Sequence, residues 1–129
     1  MDRFEQGMKQ LRKYVSDEEA KQLVESDSLA SVAPDLRKLI VEFAYGDIYS
    51  RGVLLDLERQ LVVISSVVTQ GALPQIKTHI KRGLAIGLTS NQIVEAIIQL
   101  IPYIGFPSVQ NALTVAKQLF DELKIEVKM

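Results

Sequence analysis

Apolar side chains recur along this chain at steps of three and four residues almost from end to end, the spacing of helices that each cover one face. Phe4, Met8, Leu11 and Val15 fall on one side of a first helix, and Ser16 with Glu19 makes the capping box of a second. The pattern breaks around Ser26 to Ser28. Pro34 then suits the first turn of a helix that carries Leu36, Leu39, Ile40, Phe43 and Ala44 on a core-facing stripe and ends before Gly46. Asp56 is placed as the N-cap of a long helix through Val68 that Gly71 stops, and Pro74 opens another that Gly87 closes. Thr89 and Gln92 form a second capping box before a helix running from Ser90 to about Ile101. The last helix begins near Pro107 and turns Ala112, Val115, Ala116, Leu119 and Leu123 inward. The expected fold is therefore all-α, a single-domain bundle of six or seven helices over residues 1–129, with 1–30 as a peripheral arm and 33–124 as the core. The tail from Lys124 to Met129 is expected to fray.

The helix from Ser90 is apolar around most of its circumference, because Asn91, Glu95 and Gln99 share one narrow stripe. Such a helix needs cover nearly all round, which is hard to find in a small monomer. Leaving Ile93, Ile97, Ile98 or Leu100 in water forgoes roughly 1.5–3 kcal/mol for each large aliphatic side chain. Neighbouring subunits are expected to supply that cover, which makes the protein a homo-oligomer.

Composition narrows the classes of function. A length of 129 residues suits one domain, with 47% hydrophobic and 24% charged residues and a net charge of −1. That charge lacks the basic surplus that phosphate backbones select, so nucleic acid is not an expected partner. The absence of cysteine removes disulfides, thiolate nucleophiles and cysteine-based metal sites. The charged start, Met1-Asp-Arg-Phe-Glu-Gln6, has no apolar signal region, so a cytoplasmic location is expected. The longest apolar runs, Leu61 to Val68 and Ile93 to Ile104, fall short of the roughly 18 residues of a membrane span and are interrupted by Ser65, Ser66, Glu95 and Gln99.

A few residues stand where chemistry is done. His79, the single histidine, lies at the edge of the stripe made by Leu73, Ile76, Ile80 and Leu84, as a pocket-lining residue would; a boundary histidine with one satisfied nitrogen is the alternative. Glu42 holds a similar edge position, where a carboxylate suits an acid–base pair with an imidazole or simply meets solvent. Arg51 and Arg59 bracket the approach to the long central helix, and a guanidinium fork there matches a substrate carboxylate or pairs with Asp47, Asp56 or Glu58. Tyr45, Tyr49 and Tyr103 are candidates for a cavity wall or for packing. In Tyr103-Ile-Gly-Phe-Pro107, Gly105 permits a tight turn and Pro107 presets a helix start. Phosphate loops and metal-ligand spacings are missing, so no metal site is expected.

Taken in order, several segments resemble the carboxymuconolactone decarboxylase family, which shares one all-helical fold with alkylhydroperoxidase D. They are Gly7 and Arg12, Glu42-Phe-Ala-Tyr-Gly46 with Tyr49-Ser-Arg51, Arg59-Gln-Leu-Val62, His79, Gly87-Leu-Thr89 with Gln92-Ile-Val-Glu95, and Tyr103-x-Gly105-x-Pro107 with Asn111. The resemblance implies a homo-oligomer, often a trimer or hexamer, and a lyase of aromatic catabolism that removes carbon dioxide from a carboxylated lactone or related small acid without a cofactor. It implies His79 as proton donor or enolate stabiliser, Glu42 as its partner and Arg51 as carboxylate anchor; Tyr45 and Tyr103, from the reading of the residues above, are the further substrate-binding candidates. The peroxide-reducing branch uses Cys-x-x-Cys-x-x-x-His; counting back from His79, those positions hold Gln75 and Ala72, so thiol peroxidase activity is not expected. The segment after Arg51 departs from the usual Pro-Gly-Leu-Asp and reads Gly-Val-Leu-Leu-Asp56. A non-catalytic oligomer or small-ligand-binding protein of the same fold is the alternative.

Overall fold

Helix boundaries in the computed structural model, which describes residues 1–129, follow the local signals closely. Asp2 caps α1 (Arg3–Leu11), and Ser16 caps α2 (Asp17–Glu25) by accepting from the Glu19 amide at 3.1 Å. A single turn, α3 (Leu36–Leu39), runs directly into a π-wound helix (Ile40–Tyr49). Next come α4 (Asp56–Gln70), α5 (Leu73–Ile86) and α6 (Ser90–Ile98). A short α7 (Ile101–Ile104) then leads to α8 (Phe106–Leu123). With α3 and the π helix counted as one continuous element, seven helices and the short α7 make the fold, which is all-helical as expected. None is long and apolar enough to cross a membrane.

The chain folds as two units, Met1–Leu54 and Leu55–Met129. In the first, α1 packs along the π helix. Gly7 makes this possible: a Cβ there would overlap the Val41 carbonyl, and one at Gly46 would lie 2.9 Å from the Arg3 carbonyl oxygen. Gly46 therefore does not end the helix, as the sequence suggested; it admits α1 against its flank. The stripe is also different from the expected one. Val41, Tyr45 and Gly46 are buried, while Leu39 and Phe43 are 60% and 58% exposed. In a π helix each amide bonds to a carbonyl five residues back, so the residues sharing a face shift from those of a 3.6-residue period.

In the second unit, α4, α5, α6 and α8 surround a core that includes Ile64, Ile76, Ile80, Ile93, Ile97 and Leu119. Gly71 and Gly87, with φ of 69° and 112°, end α4 and α5 in the left-handed region that glycine tolerates. The first turn of α4 begins one residue earlier than expected. Leu55 is the cap, its amide bonded to Glu58 Oε1 at 2.8 Å, and Asp56 is the first helical residue. Thr89 and Gln92 exchange the reciprocal bonds of a capping box, each at 3.0 Å. Ile93 and Ile97 are fully buried by the chain itself, so they do not need the subunit cover argued for them above.

The tail also differs from expectation. Lys124 takes a left-handed φ of 56°, and the chain turns back so that Ser90 Oγ donates to the Glu126 carbonyl at 2.6 Å. Asn91 donates to the Lys128 carbonyl at 2.7 Å and accepts from the Lys128 amide at 3.0 Å. Ile125 meanwhile packs against the core. Ser90 and Asn91, in the first turn of α6, thus tie down the last residues.

Candidate functional site

The stripe of α4 that faces the core runs Gln60, Ile64, Val68 at four-residue steps, so a primary amide occupies a position that helical spacing reserves for an apolar side chain. Opposite it, α5 buries Ile76, Ile80 and Gly83 and leaves His79 half-buried at the stripe edge, where the sequence placed it. The two helices come close because Gly83 has no side chain: a Cβ there would sit 3.0 Å from Leu88 Cδ1, 3.2 Å from Ile64 Cδ1 and 3.5 Å from Gln60 Cγ.

Gln60 is fully buried, and its Nε2 lies 3.2 Å from His79 Nδ1 and 3.2 Å from the His79 carbonyl oxygen. One side-chain amide thus grips both the ring and the backbone of the same residue. Its Oε1 is buried with no hydrogen-bond partner in the protein, an arrangement that costs stability. Burial, and secondarily the positive charge of Arg82 three residues along α5, push the His79 pKa from 6.5 down to about 4. His79 is a neutral imidazole at physiological pH, able to donate from one nitrogen and accept at the other.

The remaining candidates divide between the units. Tyr103, on α7 of the second unit, is 77% exposed, which is the environment of a surface ring rather than of a residue set into a cavity wall of that unit. In the first unit, Glu42 is half-buried on the π helix, where its charge bears on Arg3. Arg3 itself forks onto Asp47, with bonds of 3.2 and 2.6 Å. Tyr45 is buried with its ring 4.4 Å from that of Tyr49, which stands edge-on to Tyr14 at 5.6 Å. Tyr45 thus belongs to a three-ring cluster within its own unit. Arg51 is exposed just beyond the π helix, and Arg59 is buried on α4 beside Gln60. No three histidine, aspartate or glutamate side chains gather as metal ligands.

Gln60 is the site residue that sequence reasoning passed over. Its signal was present, a polar residue in phase with Ile64 and Val68, but a polar position in a stripe names no partner.

Comparison with known proteins identifies the family of this chain. A model of the carboxymuconolactone decarboxylase family matches residues 34–118. The "uncharacterized 15.0 kDa protein in nqo9-nqo10 intergenic region" of Paracoccus denitrificans is 30% identical over 97 residues, 74% of this chain and 72% of that one. A 4-carboxymuconolactone decarboxylase of Acinetobacter baylyi is 25% identical over 123 residues, 95% and 90% of the two chains. A nitrosuccinic acid decarboxylase of Metarhizium robertsii is 27% identical over 87 residues, 67% and 61% of the two chains. The chain belongs to the carboxymuconolactone decarboxylase family.

Proposed function

We propose that this member of the carboxymuconolactone decarboxylase family is a lyase that decarboxylates a small carboxylated lactone or related acid without a bound cofactor. The observation that carries the reading is His79, a neutral, half-buried imidazole held at ring and backbone by a buried amide. Two relatives with decarboxylase names support it.

The chemistry asks little of a protein beyond placement and charge stabilisation. The bond between the ring carbon and the carboxylate breaks, carbon dioxide leaves, and the electron pair moves into the unsaturated carbonyl as an enolate. A proton then returns to carbon. A hydrogen-bond donor set where the enolate oxygen develops charge lowers the barrier because it strengthens as the reaction proceeds. His79 fills that role, Arg51 anchors the carboxylate, and Glu42 is the acid–base partner. Any substrate with an electron-accepting group beside the departing carboxylate suits this scheme; a nitro group serves as a lactone carbonyl does, so the substrate class extends to small nitro acids. The same reading places the protein in the cytoplasm and in aromatic catabolism. It also includes assembly as a homotrimer or hexamer, for which the exposed Leu39, Phe43, Val62 and Phe106 offer apolar surface.

Spectrophotometric loss of a carboxylated muconolactone tests the proposal. His79→Gln is expected to lower kcat roughly 100-fold or more, with Glu42→Gln lowering kcat and Arg51→Ala raising KM. Full activity in a folded His79→Gln protein would remove His79 from the mechanism, and a single monomeric species by light scattering would remove the assembly.

A further inference from the structure

We propose that Gln60 is a positioning residue for His79, its buried amide holding the ring as the Nε2–H tautomer so that the nitrogen left for a ligand is a hydrogen-bond donor. The tautomer is a property of the free protein; its use in decarboxylation rests on the lyase reading above.

The backbone decides the orientation of the amide. The His79 carbonyl oxygen can only accept, so the Gln60 atom 3.2 Å from it is the NH2 group and not the oxygen; the opposite orientation would set two acceptors against each other. That same nitrogen lies 3.2 Å from Nδ1. An amide NH2 has two hydrogens and no lone pair to offer, so one hydrogen goes to the carbonyl and the other to Nδ1, which must be the bare nitrogen of a neutral ring. The ring proton is then on Nε2. Protonating Nδ1 would put two N–H groups face to face, a penalty that acts in the same direction as burial. Rotation of the amide away from this arrangement is opposed by full burial and by the close approach of the helices at Gly83.

The consequence for the reaction is a division of labour. A neutral imidazole donating from Nε2 stabilises an enolate oxygen, but it is not the acid that returns a proton to carbon. That proton comes from a separate acid, a carboxyl group or solvent water. Gln60 selects between the two roles that His79 alone leaves open.

One histidine per chain makes the test direct. Long-range proton–nitrogen correlation spectra of the 15N-labelled protein at neutral pH are expected to show Nδ1 as the bare nitrogen and Nε2 as the protonated one. The reverse pattern, an even mixture or an imidazolium would overturn the proposal. Gln60→Glu replaces the donor by an acceptor and is expected to move the proton onto Nδ1, with kcat lowered about 10-fold or more and KM little changed; an unchanged Nε2–H ring in the folded variant would refute it. An inverted tautomer with undiminished kcat would remove Gln60 from catalysis. If burying that carboxylate prevents folding, Gln60→Met, similar in length and without donors, is expected to release a measurable Nδ1–H fraction, and an unaltered spectrum would count against the proposal. The expected tautomer in a wild-type protein that turns over no carboxylated lactone or nitro acid would defeat the lyase reading and leave the assignment of Gln60 standing.

Discussion

The side chain of Asn91 holds the backbone of Lys128 at both its polar ends, donating to the carbonyl at 2.7 Å and accepting from the amide at 3.0 Å. Two residues 37 positions apart are thus joined as neighbouring strands are joined, by a side-chain amide in place of a second backbone. The bonds, with Ser90 Oγ on the Glu126 carbonyl, turn six residues that look like a loose end into an edge of the second unit.

Replacing Asn91 by Ala should therefore free the tail. Loss of two partly exposed hydrogen bonds is expected to cost about 1–2 kcal/mol, and amide exchange at Lys128 should rise to the rate of an unprotected peptide while amides within α4 and α5 keep their protection. Continued protection of Lys128 in the variant would show that other contacts hold the tail.

Gly7→Ala should be the more damaging change. Its Cβ would overlap the Val41 carbonyl, a main-chain group that cannot swing aside as the end of a side chain can. A loss of about 3 kcal/mol is expected, read by urea unfolding through tyrosine fluorescence, since Tyr14, Tyr45 and Tyr49 all report on the first unit. Gly46→Ala, 2.9 Å from the Arg3 carbonyl, should cost less. Gly52→Ala meets nothing within 4 Å and should be neutral.

Stability should fall with acid through His79. Its pKa is about 4 in the folded protein against 6.5 when free, so between those values the unfolded chain holds a proton that the folded one does not. The contribution is complete above about pH 6.5, declines as pH drops toward 4, and is spent below that. Its size is about 2–3 kcal/mol at most, reduced by the partial exposure of the ring. His79→Gln should flatten this part of the profile of unfolding free energy against pH, and an unchanged slope would mean that His79 titrates normally.

Gly83→Ala probes the seat of the Gln60 amide. The added methyl meets the ends of Leu88 and Ile64, which can move, so a cost of about 1 kcal/mol is expected. The more telling readout is the nitrogen spectrum of His79, which should broaden or shift as the helices separate.

Much of the helical plan was legible because its determinants act within a few residues. Gly71 and Gly87 end helices by adopting a left-handed φ, Pro74 sits in a first turn, and Thr89 and Gln92 satisfy each other's amides, all without help from elsewhere in the chain. The Phe43 stripe failed for a reason outside its own segment. Helical spacing assumes a 3.6-residue turn, whereas Ile40–Tyr49 is π-wound and lies against α1 through Gly7 and Gly46. The Ser90 helix differs for a similar reason: α4, α5 and α8 pack on α6 and leave Ile93 and Ile97 fully buried within the chain, whereas Ile98 and Leu100 stay half-buried.

The candidate site divides along the same line. Periodicity and capping, being properties of neighbours along the chain, were enough to establish that the chain is helical and that His79 stands at the edge of an apolar stripe, and the order of motifs along it is that of the carboxymuconolactone decarboxylase family. Which nitrogen of His79 is engaged, its engagement by Gln60, and the packing of Tyr45 in an aromatic cluster emerge from the packed fold. Those outcomes depend on hydrogen bonds and ring contacts between elements distant in sequence, and the close approach permitted by Gly83 is what brings the amide of α4 to the imidazole of α5.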